Sequence, residues 1–273
     1  MSLLPRNEHI LIDNPPDIKI MTWNILADQL ALDFPAVNPD FLKWDYRRGL
    51  ILEEIDRINS DILLLQELDH YVDCLLPHMK EKGFEGIFQQ KGGWHRDGIA
   101  IFYKPDKFSV LDNYLVNFPG SQFAIGLKLQ MQEHIFYVFT THLKAKKDYD
   151  NIRVEQIRYL FDFIQGLERF PMIIGGDFNS NPGTNAHSSL VNNPFGLKSI
   201  YHESCEVLHT TVKFRKTLEV KVEDYIWSCG CDVLSYYNLP SREEIGPNGL
   251  PSQNYPSDHL SLAASIRFSS ARS

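Results

Sequence analysis

The feature that most constrains this chain is a set of short, nearly unbroken apolar runs, each stopped or started by a polar residue. IKIMTWN (18–24) ends on Asn24, ILLLQE (62–67) on Glu67, FYVFTTH (136–142) on His142, and MIIGGDFN (172–179) on Asp177 and Asn179. DYIW (224–227) opens on Asp224, and DHLSLAASI (258–266) opens on Asp258 and His259. DILLLQEL (61–68) is too short for a stable helix and too apolar for a surface strand, so it reads as a buried strand. If the second group of runs lies antiparallel to the first, the polar ends meet at one rim and face a single cleft.

GIAIFY (98–103), FAIGLKLQ (123–130) and HIFYVFTTHL (134–143) read as further strands, with a hairpin at Met131 to Glu133. Helical periodicity is strong in two places. LKWDYRRGLILEEIDRIN (42–59) sets Tyr46, Leu50, Ile51, Ile55 and Ile58 on one stripe. Asp150 to Phe170 does the same with Ile152, Ile157, Leu160, Phe161, Ile164 and Leu167. Gly230 to Asp258 contains Pro240, Pro247, Pro251 and Pro256 and reads as mostly loop with one short strand at most. Hairpin-linked strands with so few strong helices argue against a regular parallel barrel. They favour an α/β sandwich, two mixed β-sheets face to face with helices outside. No linker interrupts the middle, so one domain is expected over 18–268, with an N-terminal extension over 1–17 and a tail over 269–273.

Composition narrows the function classes. With 43% apolar and 23% charged residues the chain is an ordinary globular one. Membrane insertion is not expected, since no apolar run approaches the ~20 uncharged residues that span a bilayer. MSLLPRNEHILIDNPP has neither a secretory nor a transit layout, which points to a cytoplasmic protein, or a mitochondrial one if a leader has been removed. Cys74, Cys205, Cys229 and Cys231 read as reduced thiols, because Cys229-Gly230-Cys231 has no second half of a zinc site. Lys and Arg total 27 against 35 Asp and Glu, a net charge of −8, which disfavours affinity built on a long phosphate backbone. A small anion needs only a local positive pocket or a bound cation.

Each polar strand end has an ordinary structural explanation when taken singly. Asn24 could be a turn residue, His142 a satisfied core histidine, and Asp224 one of a solvated acidic pair with Glu223. Their joint recurrence at strand termini is what those explanations leave over. Carboxylates and amides with no cysteine make the hard, oxygen-rich donor set that Mg²⁺ or Mn²⁺ prefers. Such an ion polarises a phosphoryl oxygen, imidazoles hold phosphate oxygens or move protons, and an Asp beside an Asn can orient and deprotonate water. The set suits hydrolysis of a phosphate ester.

WN, QE, TH, GDFN, DYI and SDH occur in this order between residues 18 and 268, and in this the chain resembles the endonuclease/exonuclease/phosphatase superfamily. The resemblance implies a four-layer αββα fold and Mg²⁺-dependent phosphoester hydrolysis, with Mn²⁺ as substitute. It implies Glu67 as principal metal ligand, with Asn24 and Asp258 completing or adjoining the metal site. It further implies that Asp177 activates water with Asn179 beside it, that His142 and His259 contact the phosphate, and that Asp224 supports them. TWNILAD, KWDYRRGLILEEI, LLLQELDHY and THLKAK are similar to segments of the deadenylase-like branch. IGPNGLPSQNYPSDHLSL resembles the matching segment of nocturnin-like proteins. Two activities are attributed to that group, removal of the 2′-phosphate of NADP(H) and trimming of poly(A) from the 3′ end. The implied partner is a small dinucleotide, with an RNA 3′ end as the alternative. Lys91, Lys144 and Lys146 match basic residues around the nucleotide phosphates, with Arg215 or Lys221 as a fourth.

There are departures from the pattern. KVED puts Glu223 directly before Asp224, and TTVKF lacks the aromatic that often follows the two threonines. A pocket with Lys for Arg also loses bidentate phosphate recognition. Two other classes stay open on the residues alone. One is a non-catalytic binding protein; the other is a phosphatase for lipid or inositol head groups, whose membrane-facing loop would carry Tyr236, Tyr237, Leu239, Leu250 and Tyr255.

Overall fold

The computed structural model describes residues 3–201 and 209–269, so Cys205 and positions 270–273 of the expected tail lie outside the described residues. One sheet has the order β1 (Glu8–Ile10), β14 (Cys231–Tyr237), β15 (Leu262–Phe268), β2 (Ile18–Asn24), β3 (Ile62–Leu68), β5 (Gly98–Tyr103), β4 (Glu85–Gln90). The other has the order β10 (Lys198–Ser199), β13 (Asp224–Cys229), β9 (Met172–Asp177), β8 (His134–His142), β7 (Phe123–Met131), β6 (Ser109–Asn117). A small ribbon, β11 (Thr211–Phe214) with β12 (Leu218–Lys221), stands apart from both. Both large sheets are mixed: β2 and β3 are parallel, as are β8 and β9, while the remaining neighbours are antiparallel.

The unbroken apolarity of ILLLQ follows from burial on both faces. Ile62 and Leu64 point into the core between the sheets with Ile20, Ile101, Leu127, Val138 and Ile226. Leu63 and Leu65 point outward, against Leu50, Ile51, Ile55 and Ile58 of the Trp44–Ile58 helix. The second sheet repeats this, with Tyr137, Phe139 and Ile174 covered by Ile157, Leu160 and Ile164 of the Asp150–Gln165 helix. The result is the expected α/β sandwich, helix, sheet, sheet, helix.

Several elements differ from the expectation. The second helix stops at Gln165, because Gly166 follows and the chain then turns into β9 through Pro171; Ile152 is exposed. The short strand anticipated in 230–258 is the seven-residue β14, which lies wholly before the prolines. Tyr236, Leu250 and Tyr255 are buried, which removes the apolar, membrane-facing loop that the sequence left open. Among the described residues no helix is long and apolar enough to cross a membrane. Of the expected extension, residues 3–17 pack into the body. Leu3 and Leu4 join the outer core, β1 pairs with β14, and the Arg6 guanidinium reaches Glu54 Oε1 at 3.1 Å and Ser261 Oγ at 2.7 Å. Cys74, Cys229 and Cys231 are free thiols.

Candidate active site

Topology brings the polar strand ends together. β9 is parallel to β8 and antiparallel to β13, so Asp177 pairs in register with both His142 and Asp224. From the facing sheet, the parallel pair β2 and β3 delivers Asn24 and Glu67. The sheets can meet closely here because Gly175 has no side chain; a Cβ would come 2.6 Å from Leu64 Cδ1. Behind the rim, buried Gln66 ties the sheets by donating to Thr22 Oγ1 at 3.1 Å and Thr140 Oγ1 at 3.0 Å.

Glu67 sits at φ 53°, in the left-handed region, where the β3–β5 register shifts between Leu65 and Leu68. A bulge of this kind re-aims a side chain, and the strain it costs is typical of functional positions. Asn179 is also left-handed, at φ 50°, which Asn tolerates. Asn24 Nδ2 donates to Glu67 Oε1 at 3.0 Å and to Asp177 Oδ2 at 2.9 Å. The Ala27 N–H supports Glu67 Oε2 at 3.1 Å, and the Asn179 N–H supports Asp177 Oδ1 at 2.9 Å. His142 Nε2 lies 3.5 Å from Asp177 Oδ2 and 3.9 Å from Glu67 Oε1. On the other side, His259 Nε2 lies 3.8 Å from Asp177 Oδ2, while its Nδ1 meets Asp224 Oδ2 at 2.9 Å.

The two imidazoles differ in charge. Burial, reinforced by the nearby ammonium of Lys91, pushes the His142 pKa well below its ordinary value, so this ring is neutral. Burial works against the cation at His259 as well, but Asp224, Asp258 and Asp177 outweigh it and lift the pKa to about 10. Asp177 is lifted to about 7 by burial, against the pull of His259 and with the push of Asp224. A carboxylate poised near neutrality between a neutral and a cationic imidazole is suited to moving a proton.

Asp177, Asp224 and His259 bring ligating atoms within 4.8 Å of one another. His259 Nδ1 is already engaged with Asp224 Oδ2 at 2.9 Å, a contact that an ion bound among these three would have to replace. The Glu67 side fits a divalent cation better. There two carboxylates share the amide of Asn24, with a neutral imidazole beside them, an oxygen-rich hard donor set. Asp258, also read as adjoining the metal, is 2% exposed and its Oδ2 faces Lys213 Nζ at 3.3 Å.

Of the five basic candidates, Lys91 reaches the cluster. Its Nζ lies 3.4 Å from His142 Nδ1 and is anchored by Asp97 Oδ2 at 2.5 Å. Lys144 and Lys146 follow His142 in the chain; the Lys144 ammonium lies 5.0 Å over the Tyr149 ring and Lys146 is exposed. Arg215 stacks 5.0 Å over Phe34, and Lys221 pairs with Glu219 Oε2 at 2.6 Å and Glu223 Oε1 at 3.7 Å. Sequence reasoning missed Thr210, whose hydroxyl donates to Asp224 Oδ2 at 2.6 Å, and Lys213. The only hint of Thr210 lay in the two threonines of TTVKF, and Lys213 is unmarked in the sequence. A cavity of about 580 Å³ is lined by Asp28, Gln29, Asp69, Phe88, Gln90 and Arg96, and its Gln29 donates at 3.2 Å to Oδ1 of Asp97, the anchor of Lys91.

The model of the Endonuclease/Exonuclease/phosphatase family matches residues 21–259, which takes in every strand end described above. The chain belongs to that family. The family is generally divalent-metal dependent, in keeping with the acidic cluster at the rim. Nocturnin of Homo sapiens is 35% identical over 93% of this chain and 66% of its own length, and Protein angel of Drosophila melanogaster is 28% identical over 90% and 79%. This family member thus spans about two thirds of the length of the human, rat and mouse nocturnins it matches. The human Nocturnin catalytic domain with bound sulfate anion superimposes with a TM-score of 0.81 at 31% identity, covering 97% of each chain. ANGEL2, a 2′,3′-cyclic phosphatase, shares the fold with a TM-score of 0.85 at 24% identity, covering 98% of this chain and 99% of its own.

Proposed function

We propose that the protein is a nocturnin-like, Mg²⁺-dependent phosphoester hydrolase that removes the 2′-phosphate of NADP⁺ or NADPH. The observation that carries this reading is the position of Asp177, held by Asn24 and Asn179 between a neutral His142 and a cationic His259. Asp177 takes the proton of the water that attacks phosphorus. His142 receives the Lys91 ammonium at Nδ1, so its ring hydrogen sits on Nε2, the atom facing the cleft, and donates to a phosphoryl oxygen. His259, fixed by Asp224, supplies the positive charge and the proton that the departing ribose oxygen needs. Glu67, with the amide of Asn24 beside it, would hold Mg²⁺, and Mn²⁺ in its place. Bound there, the ion supplies charge neutralisation at the phosphoryl group.

A compact substrate suits the surroundings better than a polymer. The net charge is −8, and the cavity's wall carries Asp28, Asp69 and Asp73 against Arg96 alone among lysines and arginines, which disfavours a long polyanionic strand. A dinucleotide presents only a few charges, which Lys91, Lys144 and Lys146 can meet. The test is incubation with Mg²⁺ and NADP⁺, NADPH or oligo(A), each with and without EDTA. Release of phosphate from the dinucleotides, abolished by EDTA, is expected. Shortening of oligo(A) with no phosphate released from NADP⁺ or NADPH would assign the deadenylase activity instead.

A further inference from the structure

We propose that the ammonium of Lys213 stands in for a second cation, so that the rim binds one divalent ion on the Glu67 side and Asp258 is committed to the protein's own charge. This rests on the rim being a metal site, and it turns on how Lys213 is placed. The ribbon strand β11 is fastened to the Asp258 backbone: Thr211 Oγ1 donates to the Asp258 carbonyl at 2.8 Å, and the Val212 N–H does so at 3.3 Å. One residue further on, the Lys213 side chain, 12% exposed, sets Nζ 3.3 Å from Asp258 Oδ2 and 3.7 Å from Glu223 Oε2. Glu223 Oε2 is buried with no hydrogen-bond partner among the described residues, so the ammonium is its nearest compensation. The acid placed before Asp224, a departure from the family pattern, thus lies between two lysines, Lys213 at its Oε2 and Lys221 at its Oε1, each at 3.7 Å.

The consequence for metal binding is electrostatic. The Asp258 carboxylate already holds the Lys213 ammonium against its Oδ2 at 3.3 Å. A dication entering there would face that ammonium at contact distance in a buried setting, where charges are poorly screened. Among the described residues Glu67 makes no ion pair with a lysine or arginine, and its Oε1 accepts from the Asn24 amide at 3.0 Å. Lys213 is thus a positioning residue that sets how many ions the site accepts.

The test counts Mn²⁺ bound per chain from the loss of the free-ion electron paramagnetic resonance signal, with no substrate present. One ion is expected for the wild type and for Lys213→Arg, and two for Lys213→Met, the second lost again in Lys213→Met/Asp258→Asn. Lys213→Met alone takes the ammonium from buried Asp258 and leaves Glu223 with Lys221 only, and is prone to misfold. Lys213→Met/Glu223→Gln removes one charge of each sign and is also expected to bind two, the second at least about tenfold more tightly than any further ion binds wild type. Two ions in the wild type, or a single ion in the charge-balanced double variant, would overturn the proposal. The count is independent of turnover, so failure of the NADP(H) reading leaves it standing, whereas no bound Mn²⁺ in the wild type would overturn it together with the metal site.

Discussion

Strand β3 has an acidic residue at each end, and the fold treats the two oppositely. Asp61, just before the strand, accepts from the Lys19 N–H at 2.9 Å, from Lys104 Nζ at 3.1 Å and from Lys107 Nζ at 2.8 Å. Glu67, at the other end, accepts from the Asn24 amide at 3.0 Å and the Ala27 N–H at 3.1 Å, and its closest ionisable nitrogen is the neutral His142 at 3.9 Å. At Asp61 the chain supplies both donors and countercharge. At Glu67 it supplies dipoles that hold the carboxylate in place beside Asp177 and no lysine or arginine in contact, the buried Arg47 guanidinium acting on it only from further off. A protein whose only task is to be stable gains nothing from that second arrangement. The contrast supports the proposal that the Glu67 end is built for a cation that the chain does not itself provide.

The largest expected break of this contrast is Glu67→Gln. Mg²⁺-dependent phosphate release should fall by about 10³-fold or more, while the melting temperature holds, because the partly exposed Glu67 makes no ion pair with a lysine or arginine among the described residues. Next in size is Asp61→Asn, which should lower the unfolding free energy by about 2 kcal/mol, read from the urea midpoint, with turnover unchanged. If both substitutions damaged turnover alike, or both damaged only stability, the distinction between the two ends would fail. Lys91→Met should raise KM for the phosphorylated substrate about tenfold, with kcat less affected, since the ammonium meets the substrate's charge through the His142 side of the cleft.

The smallest effect is on acid stability. Burial opposes the charged form of Asp61, but Lys107, the Lys19 N–H and Lys104 outweigh it and hold its pKa below the ordinary carboxylate value. A depressed folded-state pKa gives stability that is present above the unfolded-state value and is lost as pH falls toward the folded one. Asp61→Asn should therefore flatten the acid limb of a stability profile just below the ordinary Asp pKa. A limb of unchanged slope would show that the lysine pairs do not set it.

What the sequence revealed depended on how local the physics was. Gly98–Tyr103 is legible to the residue, because a strand buried on every position has no competing reading. The rim was legible too, since Asn24, Glu67, His142, Asp177, Asp224 and His259 each interrupt an apolar run where the strand emerges from the core. The edge strand Ser109–Asn117 was not, because nearly all of it is solvent-exposed and it carries no apolar alternation. Buried charges were equally hidden. Arg47 and Glu54 lie on the core stripe of the Trp44–Ile58 helix, where periodicity alone favours apolar residues. What makes their burial tolerable is distant in sequence: Arg47 donates to the Ile25, Leu26 and Pro256 carbonyls, and Glu54 meets Arg6 and Ser261. Lys213 belongs with them, unmarked in the sequence, since its partners Glu223 and Asp258 are brought to it by the ribbon.

The central claim is that the rim holds a divalent cation at Glu67 and not at the Asp177, Asp224 and His259 ion pair. Anomalous diffraction from a crystal soaked in Mn²⁺ tests this most directly. The account predicts a single peak within ligand distance of the Glu67 carboxylate and beside the Asn24 amide. A peak bridging Asp224 and His259 with none at Glu67 would contradict it.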